Sequence, residues 1–162
     1  MSLLDALPVP ARLTLGFSFE ETMSGSYHLL SSQLEERAIS FAIRARVAGI
    51  RQFLKDKLAR IEGEVSLEGF ADRGPLEGTL GLKLVDERRL TYDFGFCAND
   101  GRRCRFHGQK DVTMIALHDT MTTLPASIYD AVGGEIARAV LRFDVRESLA
   151  VFLRSWRLRL GS

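Results

Sequence analysis

The sequence predicts a mostly all-β chain, folded as a small antiparallel up-and-down β-barrel with two short helices. Three observations lead there. Apolar residues recur at every second position over most of the chain, short turn-forming stretches join the alternating segments, and the apolar face stays on one side from each segment to the next. A count of about eight to ten strands leaves a choice between a sandwich and a barrel. Up-and-down connectivity favours closure, because closure removes exposed sheet edges.

Residues 1–10 read as a loosely attached arm interrupted by Pro8 and Pro10. Leu13, Leu15, Phe17 and Phe19 then form the first alternating face, and Ile39, Phe41, Ile43, Ala45 and Val47 the second. Ile61, Gly63, Val65, Leu67 and Gly69 make a third, Leu76, Gly78, Leu80, Leu82 and Leu84 a fourth, and Leu90, Tyr92, Phe94 and Phe96 a fifth. A loop from Phe70 to Arg73 would set Leu67 opposite Leu76, and one from Val85 to Arg89 would set Leu84 opposite Leu90. Asn99-Asp100-Gly101 reads as a hairpin loop closed by a left-handed glycine. That register faces Phe94 with Phe106 and Phe96 with Cys104, and it sends Cys97 to the other side of the sheet. Both cysteines are therefore expected as free thiols. Further strands are expected near 119–127 and 134–143. Ile50, Phe53, Leu54 and Leu58 follow helical spacing, as do Leu149, Phe152, Leu153 and Trp156 after Asp144, a suitable N-cap.

A chain of 162 residues without a linker or low-complexity tract reads as one domain over 1–162, with a core large enough to fold without disulfides or metal. Hydrophobic residues at 46% and charged residues at 27% argue against disorder. A formal net charge of +1 supplies no field for a polyanion, so no nucleic-acid partner is expected. No transmembrane segment is expected, since no apolar run approaches about 20 residues. The first ten residues lack the basic start of a secretory signal, which leaves a cytoplasmic location by default.

The inward register of the fifth and sixth strands reads Leu90, Tyr92, Phe94, Phe96, then Cys104, Phe106, Gly108, Lys110. Barrels of about eight strands either fill with side chains or hold one small ligand. Both readings stay open here, since Gly78 and Gly108 invite aromatic rings to cover them. On the ligand reading the lining is Phe17, Phe19, Tyr92, Phe94 and Phe106, with Lys110 as polar anchor for a small apolar ligand. Lys110 has three possible settings: inward and reactive, turned outward by a bulge at Gly108, or paired with Asp119. His28, His107 and His118 lack metal spacing, and His107 falls opposite Asp93 on the outer face. A triad of Ser127, His118 and Asp119 can be drawn, but no nucleophile elbow, dinucleotide fingerprint or phosphate loop accompanies it. No catalytic residue, metal or cofactor is assigned. Arg44, Arg46, Arg51, Lys55, Lys57 and Arg60 form one basic cluster, and Arg138, Arg142, Arg146, Arg154, Arg157 and Arg159 a second. A solvated surface balanced by Glu62, Glu64, Glu68 and Glu77 accounts for them better than a docking face.

Phe19-Glu20-Glu21-Thr22-Met23-Ser24-Gly25, Gly74-Pro75-Leu76-Glu77-Gly78, Leu90-Thr91-Tyr92, Asp100-Gly101, Gly108-Gln109-Lys110 and Asp119-Thr120 through Thr123-Leu124 occur in this order. Together they resemble the lipocalin-like barrel domain that accompanies bacterial cholesterol-oxidase-like members of the glucose–methanol–choline oxidoreductases. The resemblance implies an accessory module beside a flavoenzyme, handling a lipid- or sterol-like substrate. It carries over no oxidase activity, because the chain lacks a flavin-binding fingerprint, and no catalytic residue. The expected function is a non-enzymatic binding module for a small apolar ligand, with an oxidoreductase as a possible partner. The alternatives are a small barrel isomerase or cyclase using Lys110, Tyr92 or His118-Asp119, and a protein-interaction domain.

Overall fold

The computed structural model describes residues 17–83, 89–111 and 121–144. Their order is β1 (Phe17–Leu29), β2 (Arg37–Val47), α1 (Ile50–Asp56), β3 (Leu58–Leu67), β4 (Ala71–Lys83), β5 (Arg89–Cys97), β6 (Arg103–Asp111), β7 (Met121–Tyr129) and β8 (Glu135–Asp144). Each strand pairs antiparallel with the next. β8 returns to β1 from Ser24↔Arg142 to Leu29↔Ala137, closing an eight-stranded barrel.

Alternation carries through to burial. Ile39, Phe41, Ile43, Ala45 and Val47 are buried along β2, and Leu90, Tyr92, Phe94 and Phe96 along β5. The β5–β6 hairpin has the expected register, with Phe94↔Phe106 and Phe96↔Cys104. Its turn is closed by the Ala98 N–H to the Arg102 carbonyl at 2.9 Å, with Gly101 left-handed at φ 85°. Cys97 is exposed and Cys104 buried, both as free thiols.

Two loop registers differ from expectation. Leu67 faces Ala71, and it is Gly63 that faces Leu76. The chain turns earlier than expected, over Glu68–Phe70, because Gly69 adopts φ 76° and the Phe70 N–H reaches the Leu67 carbonyl at 2.9 Å. Gly69 is therefore a turn residue, and an irregularity before Gly74, with Arg73 at φ 45°, returns the apolar face inward. In β4–β5, Leu82 rather than Leu84 faces Leu90, because Arg89 pairs with Lys83 instead of joining the loop. Gly78 consequently lies under Phe94, not Phe96.

α1 forms where the helical spacing places it, but it is shorter. Lys57 takes a left-handed conformation and gives its N–H to the Phe53 carbonyl at 2.8 Å, so Leu58 starts β3 and is exposed. The arm at 1–10, the first apolar pair Leu13 and Leu15, and the second expected helix over 149–156 lie outside the described residues.

The two ends of the barrel differ. At one end the β3–β4 and β5–β6 turns are tied together by the Asn99 N–H to the Phe70 carbonyl and the Asp72 N–H to Asn99 Oδ1, both 2.9 Å. The Tyr27 hydroxyl, buried beside them, donates to the Glu68 carbonyl. The other end carries α1, whose Phe53 is buried in the core. On the outside, Arg44 pairs with Glu20 and Arg46 with Glu62, so these two members of the first basic cluster are balanced across neighbouring strands; Arg73 pairs with Glu64. Arg138 of the second cluster pairs with Glu135.

Gly78 is one of the places where neighbouring strands approach most closely. A Cβ there would lie 2.0 Å from the Asp93 carbonyl oxygen and 2.5 Å from the Phe94 Cα, atoms that cannot rotate away. Gly78→Ala should therefore lower stability by about 2 kcal/mol or more in urea unfolding. Gly95→Ala, where the nearest atom is 3.8 Å away, should stay within about 0.5 kcal/mol of the parent.

Candidate functional site

Extending the period of two along β1 from Phe19 to Met23 places Glu21 inward, and it is the buried charged residue of the core, 3% exposed. β1 and β5 stand four strands apart in either direction round the barrel, on opposite walls. The Tyr92 hydroxyl nevertheless donates to Glu21 Oε2 at 2.7 Å, so the two side chains meet across the interior. Both lie nearer the α1 end of their strands than the tight-turn end.

The surroundings are apolar. Glu21 faces Ile43 in the ladder, and Tyr92 faces Leu80 on one side and Gly108 on the other. The Phe41 ring lies 5.9 Å from that of Tyr92. Burial, reinforced by the Glu21 charge and by the hydrogen bond itself, pushes the Tyr92 phenol well above its usual value. The phenol thus stays protonated and a donor throughout the physiological range. What the pair offers chemically is a hydroxyl and a carboxyl group held together in a water-poor, low-dielectric setting.

The expected lining residues occupy different levels of this interior. Phe19 is buried next to Glu21 on β1. Phe94 and Phe106 stack at 4.5 Å with an interplanar angle of 7°, and both meet Phe41 edge-on from the opposite side, at 5.4 and 5.6 Å. These rings pack on one another deeper than the polar pair. Phe17 pairs with Val47 through its backbone, and its side chain lies outside the described residues. Lys110 follows the regular ladder opposite Leu90, so Gly108 makes no bulge there; Lys110 keeps the inward register, half-buried near the end of β6. Glu21 is the residue that sequence reasoning passed over. Its signal was present in the unbroken alternation, masked by its residue type.

The remaining candidates face outward or are not described. Ser127 donates to Glu135 Oε1 at 3.3 Å on the outer face, while His118 and Asp119 lie outside the described residues. His107 sits opposite Asp93 as expected, 3.4 Å from its carboxylate, which Arg105 also holds. An outer groove of about 540 Å³ runs past Arg103, Arg105, His107, Tyr129 and Asp130. Its Asp130 carboxylate accepts the Val132 and Gly134 N–H groups, so that charge is committed to its own turn. Among the described residues no three His, Cys, Asp or Glu side chains converge as metal ligands, and no helix is long and apolar enough to cross a membrane.

Fold and site together define a closed antiparallel barrel with a carboxyl–phenol pair enclosed by apolar walls. No protein-family model matches the chain, and no curated protein or solved structure matches it.

Tyr92→Phe should destabilise the fold by about 1–3 kcal/mol, because Glu21 stays buried and loses a donor. The parent should also lose stability in alkali: the unfolded phenol ionises near its usual value of 10.0 while the folded one holds its proton. Unfolding free energies measured across pH 8–12 should fall less steeply above about pH 10 in Tyr92→Phe than in the parent.

Proposed function

We propose that the barrel binds a small apolar, lipid- or sterol-like ligand whose neutral polar end meets Tyr92 and Glu21. The hydrogen bond between these two residues, among apolar neighbours in the barrel interior, carries the reading. Enclosing a carboxyl group costs free energy that an apolar pair of similar size would not. A pair placed there is better explained by use than by stability. A phenol oxygen and a carboxyl group side by side can each take part in bonding to one hydroxyl, since a carboxylate accepts several donors at once. The residue types around the pair suit an apolar body, with Phe19, Phe41, Leu80 and Leu90 on four different strands.

The sequence resemblance supports placing such a module beside an oxidoreductase that acts on lipidic alcohols, delivering or holding the substrate. A second reading draws on the same hydrogen bond. A carboxylate base next to a phenol acid in a dry interior is also the equipment of an isomerase. Turnover of a bound ligand would move the conclusion there.

The test uses three matched probes: a long-chain primary alcohol, its methyl ether and the corresponding carboxylic acid, each competed against Nile red. The alcohol should displace the dye at a concentration at least about tenfold lower than the ether does, because a site built for a hydroxyl penalises its loss. Tyr92→Phe and Glu21→Leu should erase that preference. Failure of all three probes and of Nile red to bind would remove the binding reading.

A further inference from the structure

We infer that the ligand enters through the side of the barrel, between β6 and β7, rather than over its rim. This rests on the binding reading above and concerns the route to the same site. The β6–β7 ladder runs only from Arg105↔Tyr129 to Gly108↔Ala126, four residue pairs, against eleven between β1 and β2 and nine between β5 and β6. Beyond Gly108, residues 109–111 continue paired with β5, and beyond Ala126, residues 121–125 continue paired with β8. Among the described residues, no ladder joins these two stretches to each other.

Pro125 supplies the cause. It stands at the first position past the last pair and has no N–H to donate. The opening also begins at the right height. Gly108, the last residue of β6 paired with β7, is the ladder partner of Tyr92, so the gap starts at the level of that residue.

At the last pair a side chain packs against the wall. Leu124 lies over Gly108 so closely that a Cβ on the glycine would come within 3.0 Å of its Cδ2. Passage past this point requires a leucine to rotate, whereas passage through the paired part of the wall requires ladder hydrogen bonds to part. The α1 end is held more firmly: Phe53 is buried beneath the helix, and the Lys57 carbonyl accepts the Leu82 N–H at 2.8 Å. Gly108 and Ala126 leave the seam narrow and apolar. Lys110, half-buried, stands two residues beyond Gly108 on the same strand.

Two changes at exposed positions test this with Nile red and the long-chain alcohol as probes. Pro125→Val restores an N–H to β7 and should lengthen the ladder, read as slower amide exchange at 109–111. A Gln109→Cys/Pro125→Cys pair in a Cys97→Ser background, closed by oxidation or by a short bis-maleimide, bridges the same gap. Stopped-flow association and dissociation should both slow by about tenfold or more, while Kd stays within about twofold, because a blocked route changes rates and not end states. Rates unchanged in both variants, with Kd intact, would overturn the side entry and leave the binding reading standing. Absence of probe binding in the parent would remove both.

Discussion

The ring of Phe41 reaches from β2 to the opposite wall, where it meets Phe94, Phe106 and Tyr92, and the barrel is organised round that contact. Strands β2 and β6 are as far apart in the closed order as two strands can be, so a ring-to-ring distance of 5.6 Å between Phe41 and Phe106 means that the interior is bridged at mid-height. Each edge-to-face pair adds about 0.5–1.5 kcal/mol beyond the area it buries. Small residues elsewhere accommodate the rings. Gly78 lets β4 pass under Phe94, and Gly108 leaves room for Leu124 against Phe106. Adding a methyl group at Gly78 pushes on backbone, which is why the constraint reaches beyond the rings themselves.

Above the aromatic level the chemistry changes. Tyr92 belongs to both layers: its ring packs against Phe41, and its hydroxyl turns to Glu21 on the far wall. The packed rings hold the phenol in position, and the phenol gives the carboxyl group a fixed partner. Low polarity strengthens that bond and raises the cost of breaking it. A polar contact so placed is held by the packing around it, with few alternative arrangements open to either side chain.

The β5–β6 hairpin was fully legible in the sequence because its register depends on three adjacent turn residues, the last of them a glycine. The β3–β4 connection was less so. There Gly69 looked like a continuing strand position, and only the backbone shows it turning the chain two residues early. Glu21 was legible in principle, since Phe19 and Met23 flank it at the inward spacing, but a carboxylate reads as an outward residue until its partner on a strand seventy positions away is known. The short β6–β7 ladder has no comparable trace. Pro125 hints at a weak strand edge, yet which neighbour loses its hydrogen bonds depends on where two sequence-distant hairpins meet.

An even number of strands brings the first and last of them to the same rim. Phe17 and Asp144 both stand at the α1 end, while the β3–β4 and β5–β6 turns lie at the other. Two strand ends and a helix thus crowd the rim nearest the Tyr92–Glu21 layer, so whatever alters that rim acts on the polar layer before it reaches the stacked rings.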